Sequence, residues 1–304
     1  MNLSVVVPVY RGEKYIEPLV ERLNTVLPTL AEKYEVVLVN DGSPDRSWDI
    51  IEQLAQKYAW VWGIRLMRNY GQHNAVLCGV RLARYDIIVT MDQDLQHQPE
   101  DIPLLIAELD KGYDLVYGIP KKLPQGILRN LLTAAIKRVL ASSISVPSVK
   151  NISSFRAFYA HVRTAFENFQ GSTLIIDVLL FWAVSRFTWV PVDITEAHES
   201  NYNFASLIKI TMEILIGYST KPLRLASWIG FVMTLFGLGI FVYVLVVYFG
   251  EGSLPGFPFL ASIIALFSGA QLFALGIFGE YLARMFDRSM DRPTYIIQGV
   301  IGGE

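Results

Sequence analysis

The sequence predicts an α/β domain with a mostly parallel sheet, followed by amphipathic helices and two transmembrane helices. Three observations predict this architecture. Short apolar runs alternate with helical patterns through the first half of the 304 residues, which is typical of a parallel sheet covered on both faces. Two later apolar segments are each long enough to cross a bilayer. Between the halves, apolar residues recur at helical spacing beside basic ones.

Apolar runs in the first half are interpreted as buried strands, and the patterns between them as helices. The predicted strands are Leu3–Val9, Glu35–Val39, Val61–Leu66, Asp86–Met91 and Asp114–Tyr117. The predicted helices are Tyr15–Leu30, Ser47–Tyr58, Gln72–Ala83 and Ile102–Lys111. Because ligands bind beyond the carboxyl ends of parallel strands, we expect the chemistry in the loops after the first, second and fourth strands.

Two stretches between the halves are amphipathic. In 127–140, Arg129, Lys137 and Arg138 lie among apolar residues at helical spacing. Such a helix suits the membrane interface, with its basic residues near lipid phosphates. An ordinary helix packed on the sheet is the alternative. The second stretch, Phe204–Ile216, could lie on the membrane surface in the same way.

Two segments near the C-terminal end carry no charged side chain, Ser227–Phe249 and Phe257–Gly279. Each reaches the length of about 20 residues that spans a hydrocarbon core. Basic residues flank the pair but are missing from the link 250–256, so the positive-inside rule predicts cytoplasmic flanks. The flanking residues are Lys221, Arg224, Arg284, Arg288 and Arg292. A buried hairpin in a soluble core is the alternative.

Composition excludes some classes of protein. The formal net charge is −2, so the chain lacks the excess of basic residues that is typical of proteins that bind nucleic acid. The single cysteine, Cys78, cannot form an intramolecular disulfide. The chain opens directly on a strand pattern, without the features of a secretory signal peptide, so we expect the first domain in the cytoplasm.

Acidic and amide side chains follow the fourth predicted strand. Asp92 and Asp94 are two residues apart, and Gln96 follows. Carboxylates at a strand end can share a divalent cation and a ribose, and Mg²⁺ or Mn²⁺ would neutralise a diphosphate there. The alternative is a pair of solvated loop charges.

The other strand ends carry candidate ligand contacts. Asp41 could accept hydrogen bonds from a nucleoside, or could belong to an Asp-Gly turn. Pro8 and Tyr10 could stack on a base, or the proline could simply end the strand. Arg68 could anchor a phosphate or pair with a structural acid.

Taken in order, these motifs resemble the family 2 glycosyltransferases of the GT-A fold. The motifs are Ser4–Tyr10 (SVVVPVY), Val39–Ser43 (VNDGS), Arg68–Gly71 (RNYG) and Met91–Gln96 (MDQDLQ), with Pro99 and Glu100 behind. The polyprenyl-phosphate branch is most similar: dolichol-phosphate mannose synthases, bacterial undecaprenyl-phosphate glucosyltransferases and aminoarabinose-transferring lipid A enzymes. At the C-terminal end, Gly279–Arg284 and Arg292–Ile296 resemble the two-span bacterial members.

The resemblance implies a role for each matching residue. Asp41 would hold the nucleoside, and Asp92 would lie beside the nucleotide and diphosphate. Asp94 and Gln96 would bind Mg²⁺ or Mn²⁺. A contact to phosphate is implied for Arg156. Arg156 belongs to the family's Phe-Arg step, and Tyr202 falls in the mobile loop that closes over the diphosphate. In the expected mechanism, Arg156, Lys121 and Arg129 would offset the repulsion between the anions and stabilise the leaving nucleoside diphosphate.

Several positions depart from the family pattern. In the mobile loop, Thr195, His198 and Asn201 stand where the family usually has arginine, glycine and lysine. Ser154 stands where an aspartate is frequent, and Pro120 and Lys121 replace arginines. Because these positions contact the donor in the family, the departures leave open which nucleotide-sugar is the donor.

Asp177 lies in the apolar run Leu174–Trp182. An unpaired buried carboxylate is costly, so Asp177 should face a partner. That partner is an Arg or Lys of the protein, or an amino group on the sugar.

The implied activity is inverting transfer of a sugar from a nucleotide-sugar, with UDP-linked donors expected, to undecaprenyl phosphate. The expected segments are a catalytic domain (1–125), an acceptor and interface segment that completes it (126–226), a transmembrane hairpin (227–283) and a cytoplasmic tail (284–304). The expected location is the bacterial inner membrane, with both termini cytoplasmic, membrane lipids as partners and self-association possible.

Three other functions compete with this one. A degenerate transferase would bind nucleotide-sugar as a membrane scaffold, and the missing loop cations are its support. A processive polysaccharide synthase would carry a Gln-x-x-Arg-Trp motif, which does not occur in this sequence. A transporter would need more polar residues in the spans than Ser268 and Gln271.

Overall fold

The computed structural model describes residues 1–121, 152–170, 174–194, 220–251, 256–290 and 292–303. The chain divides into two compact units. The first contains the described residues before 195 together with 292–303, and the second contains those from 220 to 290. Several predictions lie outside the described residues: both amphipathic stretches and the roles of Arg129, Thr195, His198, Asn201 and Tyr202.

The first unit is built on one eight-stranded sheet with the strand order β7-β5-β6-β4-β1-β2-β3-β8. The strands are β1 (Asn2–Val9), β2 (Lys33–Asn40), β3 (Val61–Leu66), β4 (Ile87–Thr90), β5 (Leu115–Pro120), β6 (Arg156–Tyr159), β7 (Phe187–Val192) and β8 (Ile297–Ile301). Parallel pairing joins β4, β1, β2 and β3 in the centre. Strands β6 and β8 pair antiparallel with their neighbours. The predicted α/β class is confirmed, with a mixed sheet.

Helices cover both faces of this sheet. They are α1 (Ile16–Leu30), α2 (Ser47–Lys57), α3 (Gln72–Leu82), α4 (Ile102–Leu109) and α5 (Ile176–Ala183). Apolar side chains of α1, α2 and α4 pack in one core, and those of α3 and α5 pack in the other. Because both faces are covered, Leu3 to Val9 of β1 are all buried, which explains their nearly continuous apolar run.

The five predicted strands and four predicted helices of the first half agree with the structure to within a few residues. Strands β6, β7 and β8 were not predicted. Strand β8 lies in the segment that was expected to form a cytoplasmic tail, and it pairs with the edge of β3. Adding a strand there covers backbone groups of β3 that would otherwise have no partner in the sheet.

The second unit contains two long helices, α6 (Lys221–Glu251) and α7 (Phe257–Ser289). Each holds a segment long and apolar enough to cross a membrane, Pro222–Ile240 and Leu266–Asp287. Only 6% and 0% of these segments are buried in the protein. A core helix of a soluble domain would be mostly buried, so the exposure argues against the soluble-hairpin alternative. The predicted orientation of the spans stays a prediction.

Candidate active site

A cavity of about 320 Å³ opens at the carboxyl ends of β1, β2 and β4. Its lining residues are Pro8, Val9, Tyr10, Asp41, Asn69, Gly71, Gln72, Asp92, Gln93 and Asp94. Five of the predicted site residues are among them: Pro8, Tyr10, Asp41, Asp92 and Asp94. Parallel strands bring their carboxyl ends to one edge of the sheet, and this is why residues far apart in sequence meet here.

Asp41 directly follows β2 and holds the loop between β3 and α3. Its two carboxylate oxygens accept hydrogen bonds from the backbone N–H groups of Tyr70 (2.7 Å) and Gly71 (2.8 Å). Gly71 has φ of 91°, a left-handed conformation that glycine adopts without strain. Burial raises the pKa of Asp41, and the two N–H donors partly offset that effect. Each oxygen keeps a further lone pair for a ligand.

Asp92 is held from two sides. Gln72 Nε2 donates to Asp92 Oδ1 at 2.5 Å, and Ser154 Oγ donates to Oδ2 at 2.6 Å. Burial raises the pKa of Asp92, and the nearby charge of Asp94 raises it further, whereas the Ser154 hydrogen bond lowers it. Asp92 is therefore a fixed carboxylate beside a second acidic group.

The chain turns back on itself after Asp94. The backbone N–H of Gln96 donates to Asp94 Oδ1 at 3.2 Å, and Leu95 between them has φ of 59°. Among the described residues, no three His, Cys, Asp or Glu side chains form a metal cluster. A divalent cation bound by Asp94 and Gln96 would therefore need oxygens from a ligand, and this oxygen-only set suits Mg²⁺ or Mn²⁺. Asp94 lines the cavity and Gln96 does not, so the metal-binding roles predicted for these two residues stay predictions.

Arg156 and Asp177 form an ion pair whose side chains are 3% and 8% exposed. Arg156 Nε also donates to Thr90 Oγ1 (3.0 Å), and the Tyr117 hydroxyl donates to Asp177 Oδ1 (3.0 Å). Of the two partners considered for Asp177, the structure has the arginine of the protein. Arg156 does not line the cavity. Its predicted contact with phosphate stays a prediction.

Two other predicted cations also lie away from the lining. The guanidinium of Arg68 is exposed and lies 4.7 Å from the centre of the Tyr70 ring. Lys121 forms an exposed ion pair with Asp193, 2.7 Å from Nζ to Oδ2. A surface pair of this kind contributes little stability, and the predicted role of Lys121 at the diphosphate stays a prediction.

Sequence reasoning missed three residues of the site. Gln72 and Ser154 hold Asp92, and Gln93 lines the cavity between the two carboxylates. The sequence predicted that a helix begins at Gln72, directly after Gly71. Nothing in the local pattern indicates that Gln72 reaches Asp92, because that contact depends on how α3, packed on β1 and β2, brings its first residue beside the loop after β4.

The family model described as "Glycosyl transferase family 2" matches residues 4–162 of the chain. Curated relatives match almost the whole chain. An undecaprenyl-phosphate 4-deoxy-4-formamido-L-arabinose transferase of Shewanella sediminis is 34% identical, with 99% of this chain and 93% of the relative covered. The same-named transferase of Klebsiella pneumoniae is 32% identical, with 99% and 94% covered.

Solved structures share the fold. Glucosyl-3-phosphoglycerate synthase of Mycobacterium tuberculosis, crystallised with Mn²⁺, UDP and phosphoglyceric acid, has a TM-score of 0.51 and 18% identity. The match covers 71% of this chain and 76% of that one. A second mycobacterial protein has a TM-score of 0.52 with 18% identity, covering 71% and 72%.

Proposed function

This chain belongs to glycosyl transferase family 2, and we propose that it transfers a sugar from a UDP-linked donor to undecaprenyl phosphate. The observation that carries the proposal is the meeting of Tyr10, Asp41, Asp92 and Asp94 in one cavity at the carboxyl ends of the parallel strands. The names of the relatives support the acceptor. Two helices that could cross a membrane suit an enzyme whose acceptor is a lipid.

In this proposal the cavity binds the donor. Pro8 and Tyr10 offer a face for the base, and Asp41 accepts hydrogen bonds from the nucleoside. Asp92, oriented by Gln72 and Ser154, lies beside the diphosphate. Asp94 and Gln96 would hold Mg²⁺ or Mn²⁺, which supplies positive charge to the departing diphosphate.

The acceptor needs no strong general base. A phosphate monoester has a second pKa of about 6, so it is mostly a dianion at neutral pH. Its oxygen forms a bond to the anomeric carbon while the bond from that carbon to the β-phosphate oxygen breaks. The nucleoside diphosphate leaves with the electron pair, and the anomeric centre inverts. Ser154, in place of the family's aspartate, therefore removes no base that the reaction requires.

The protein must bring two anions together and hold them in line. We propose that Lys121 and Arg129 contact phosphate groups, and that Tyr202 belongs to a segment that closes over the diphosphate. Arg156, paired with Asp177, lies close enough to Asp92 for its charge to lower the pKa of that carboxyl. We place the enzyme in the bacterial inner membrane, with the catalytic unit and both termini on the cytoplasmic side.

The test uses the full-length protein in detergent with undecaprenyl phosphate, Mg²⁺ or Mn²⁺, and a panel of UDP-, GDP- and dTDP-sugars. The panel includes UDP-4-deoxy-4-formamido-L-arabinose, which carries the sugar that the names of the relatives give. Release of nucleoside diphosphate and the mass of the lipid product are measured together. We expect turnover with a UDP-sugar that stops when the metal is chelated.

Two variants control this test. Asp94→Asn should abolish turnover because it removes a metal ligand. Asp110→Asn changes an exposed carboxylate just after α4 in the same chemical way, and it should keep full activity. Absence of turnover with every donor, combined with tight nucleotide binding, would replace the proposal with the degenerate scaffold.

A further inference from the structure

Gln93 lies between the two carboxylates of the acidic loop, and its side chain reaches the end of β1. Its Oε1 accepts a hydrogen bond from the backbone N–H of Tyr10 at 3.1 Å. Its Nε2 donates to the backbone carbonyl of Tyr10 at 2.7 Å. One amide side chain thus satisfies both backbone groups of one residue, as a neighbouring strand would.

Gly12 makes room for this arrangement. A Cβ atom at residue 12 would lie 2.3 Å from Gln93 Oε1 and 2.9 Å from its Cδ, closer than non-bonded atoms approach. The backbone of Gly12 is fixed as well, because its N–H donates to Ser47 Oγ at 2.9 Å. The side chain of Gln93 and the missing side chain of Gly12 therefore fit one another.

Tyr10 is presented by a strained loop. Its ring lines the cavity and is 39% exposed. The next residue, Arg11, has φ of 54°, which is costly for a residue with a side chain. Its N–H donates to Ser43 Oγ at 2.7 Å, and its guanidinium lies 5.5 Å from the centre of the Tyr10 ring. Such a conformation persists only when surrounding contacts hold it.

We infer that Gln93 is a positioning residue that fixes Tyr10 as a stacking face for the donor's base and ties that face to the acidic loop. The inference rests on the proposed function, because it requires that the cavity binds a nucleoside diphosphate. Oε1 and Nε2 of Gln93 both bond to the Tyr10 backbone, so the effect inferred for Gln93 on the nucleotide passes through the tyrosine. Stacking on an aromatic ring depends on where the ring is held, and this is what Gln93 controls.

The test compares two ligands on the full-length protein in detergent, by calorimetry with Mg²⁺ present. UDP carries the base and the diphosphate, whereas inorganic pyrophosphate carries only the latter. Gln93→Ala should weaken UDP binding about tenfold, as the loss of roughly two neutral hydrogen bonds predicts. Pyrophosphate binding should stay unchanged. Gln53→Ala, on the exposed face of α2, should leave both affinities as they are.

A double-mutant cycle adds a second, independent measurement. Gly12→Ala alone should weaken UDP binding to a similar extent, because the new Cβ displaces the Gln93 amide from Tyr10. In the Gln93→Ala background that amide is gone and the remaining close neighbour of the new Cβ is Val9 Cγ1 at 3.2 Å, so Gly12→Ala should cost little further. The thermal unfolding midpoint of each variant shows whether the domain is still folded.

The outcomes separate the inference from the proposed function. If the wild type binds none of UDP, GDP, CDP, ADP and dTDP, the proposed function fails, and the inference fails with it. If the wild type binds UDP and Gln93→Ala binds it equally well, only the inference is overturned. Equal losses for UDP and pyrophosphate would also overturn it, because they would show a general collapse of the acidic loop. A folded Gly12→Ala variant whose effect adds fully to that of Gln93→Ala would overturn it as well.

Discussion

The guanidinium of Arg156 on β6 is buried against the carboxylate of Asp177 on α5, and the two form an ion pair. Arg156 pairs with Thr90 in the sheet. Thr90 lies two residues before Asp92 in the chain. The Nε–H bond of Arg156 to Thr90 and the hydroxyl bond from Tyr117 to Asp177 extend the pair into a network. This network connects α5 to the strand that carries the acidic loop, although neither member of the pair lines the cavity.

Asp177→Ala should destabilise the protein strongly. The substitution leaves the charge of Arg156 buried with no counter-charge, and breaking such a pair costs about 3–5 kcal/mol. The measurement is the free energy of unfolding from urea titration of the full chain in detergent. The paired variant Asp177→Leu/Arg156→Met removes both charges and should recover most of the loss. If Asp177→Ala lowered the free energy of unfolding by less than about 1 kcal/mol, Asp177 would not be the buried counter-charge of Arg156.

Ser154→Ala should lower kcat/KM about tenfold, because Asp92 loses one of its two hydrogen-bond donors and a bond to a charged group is worth about 1.5–3 kcal/mol. Ser154→Thr keeps the hydroxyl and should retain most of the activity. Steady-state kinetics of nucleoside diphosphate release measure both variants. Equal losses in the two would show that the hydroxyl is not what matters at this position.

Arg22 and Glu100 should give a pH-dependent contribution to stability. Arg22 Nε donates to Glu100 Oε1 at 3.0 Å, joining α1 to the turn before α4. Burial alone raises the pKa of Glu100, but the hydrogen bonds from Arg22 and the backbone outweigh it and hold the pKa below the usual 4.5. A carboxyl with a lowered pKa stabilises the fold above its ordinary pKa, and this contribution is lost as the pH falls through the lowered value.

Arg22→Gln should therefore cost about 0.5 kcal/mol at neutral pH, since both side chains are partly exposed and the pair is screened by solvent. The difference from the wild type should vanish in acid, where Glu100 is protonated in both proteins. Urea titrations at several pH values check this. A difference that persists unchanged in acid would show that Arg22 acts through packing instead.

Cys78 should be unreactive while the protein is folded. Burial raises the pKa of its thiol to about 12, so almost none of it is thiolate at neutral pH. Modification by a thiol reagent should be slow in the native protein and fast in urea. Because the chain has a single cysteine, the rate reports unfolding of this one site. Rapid native labelling at neutral pH would show that the helix α3 opens readily.

The first half of the fold could be predicted because its signals are local. The apolar runs of β1 to β5 and the periodic patterns of α1 to α4 each lie within one short segment. Strands β6, β7 and β8 were missed for a physical reason. β6 begins at a charged residue, Arg156, so its sequence contains no apolar run of strand length. Strands β7 and β8 lie at the two edges of the sheet, where exposed positions break the apolar pattern.

By itself, the sequence determined the α/β class, the two apolar helices and the residues that follow the strands. Pro8, Tyr10, Asp41, Asp92 and Asp94 were predicted together because parallel strands end at one edge. Only the tertiary structure decided their partners. Gln72 lies 20 positions from Asp92, Ser154 lies 62 away, and Gln93 lies 83 from Tyr10. Such contacts depend on how packed elements meet, and no local pattern of residues records that geometry.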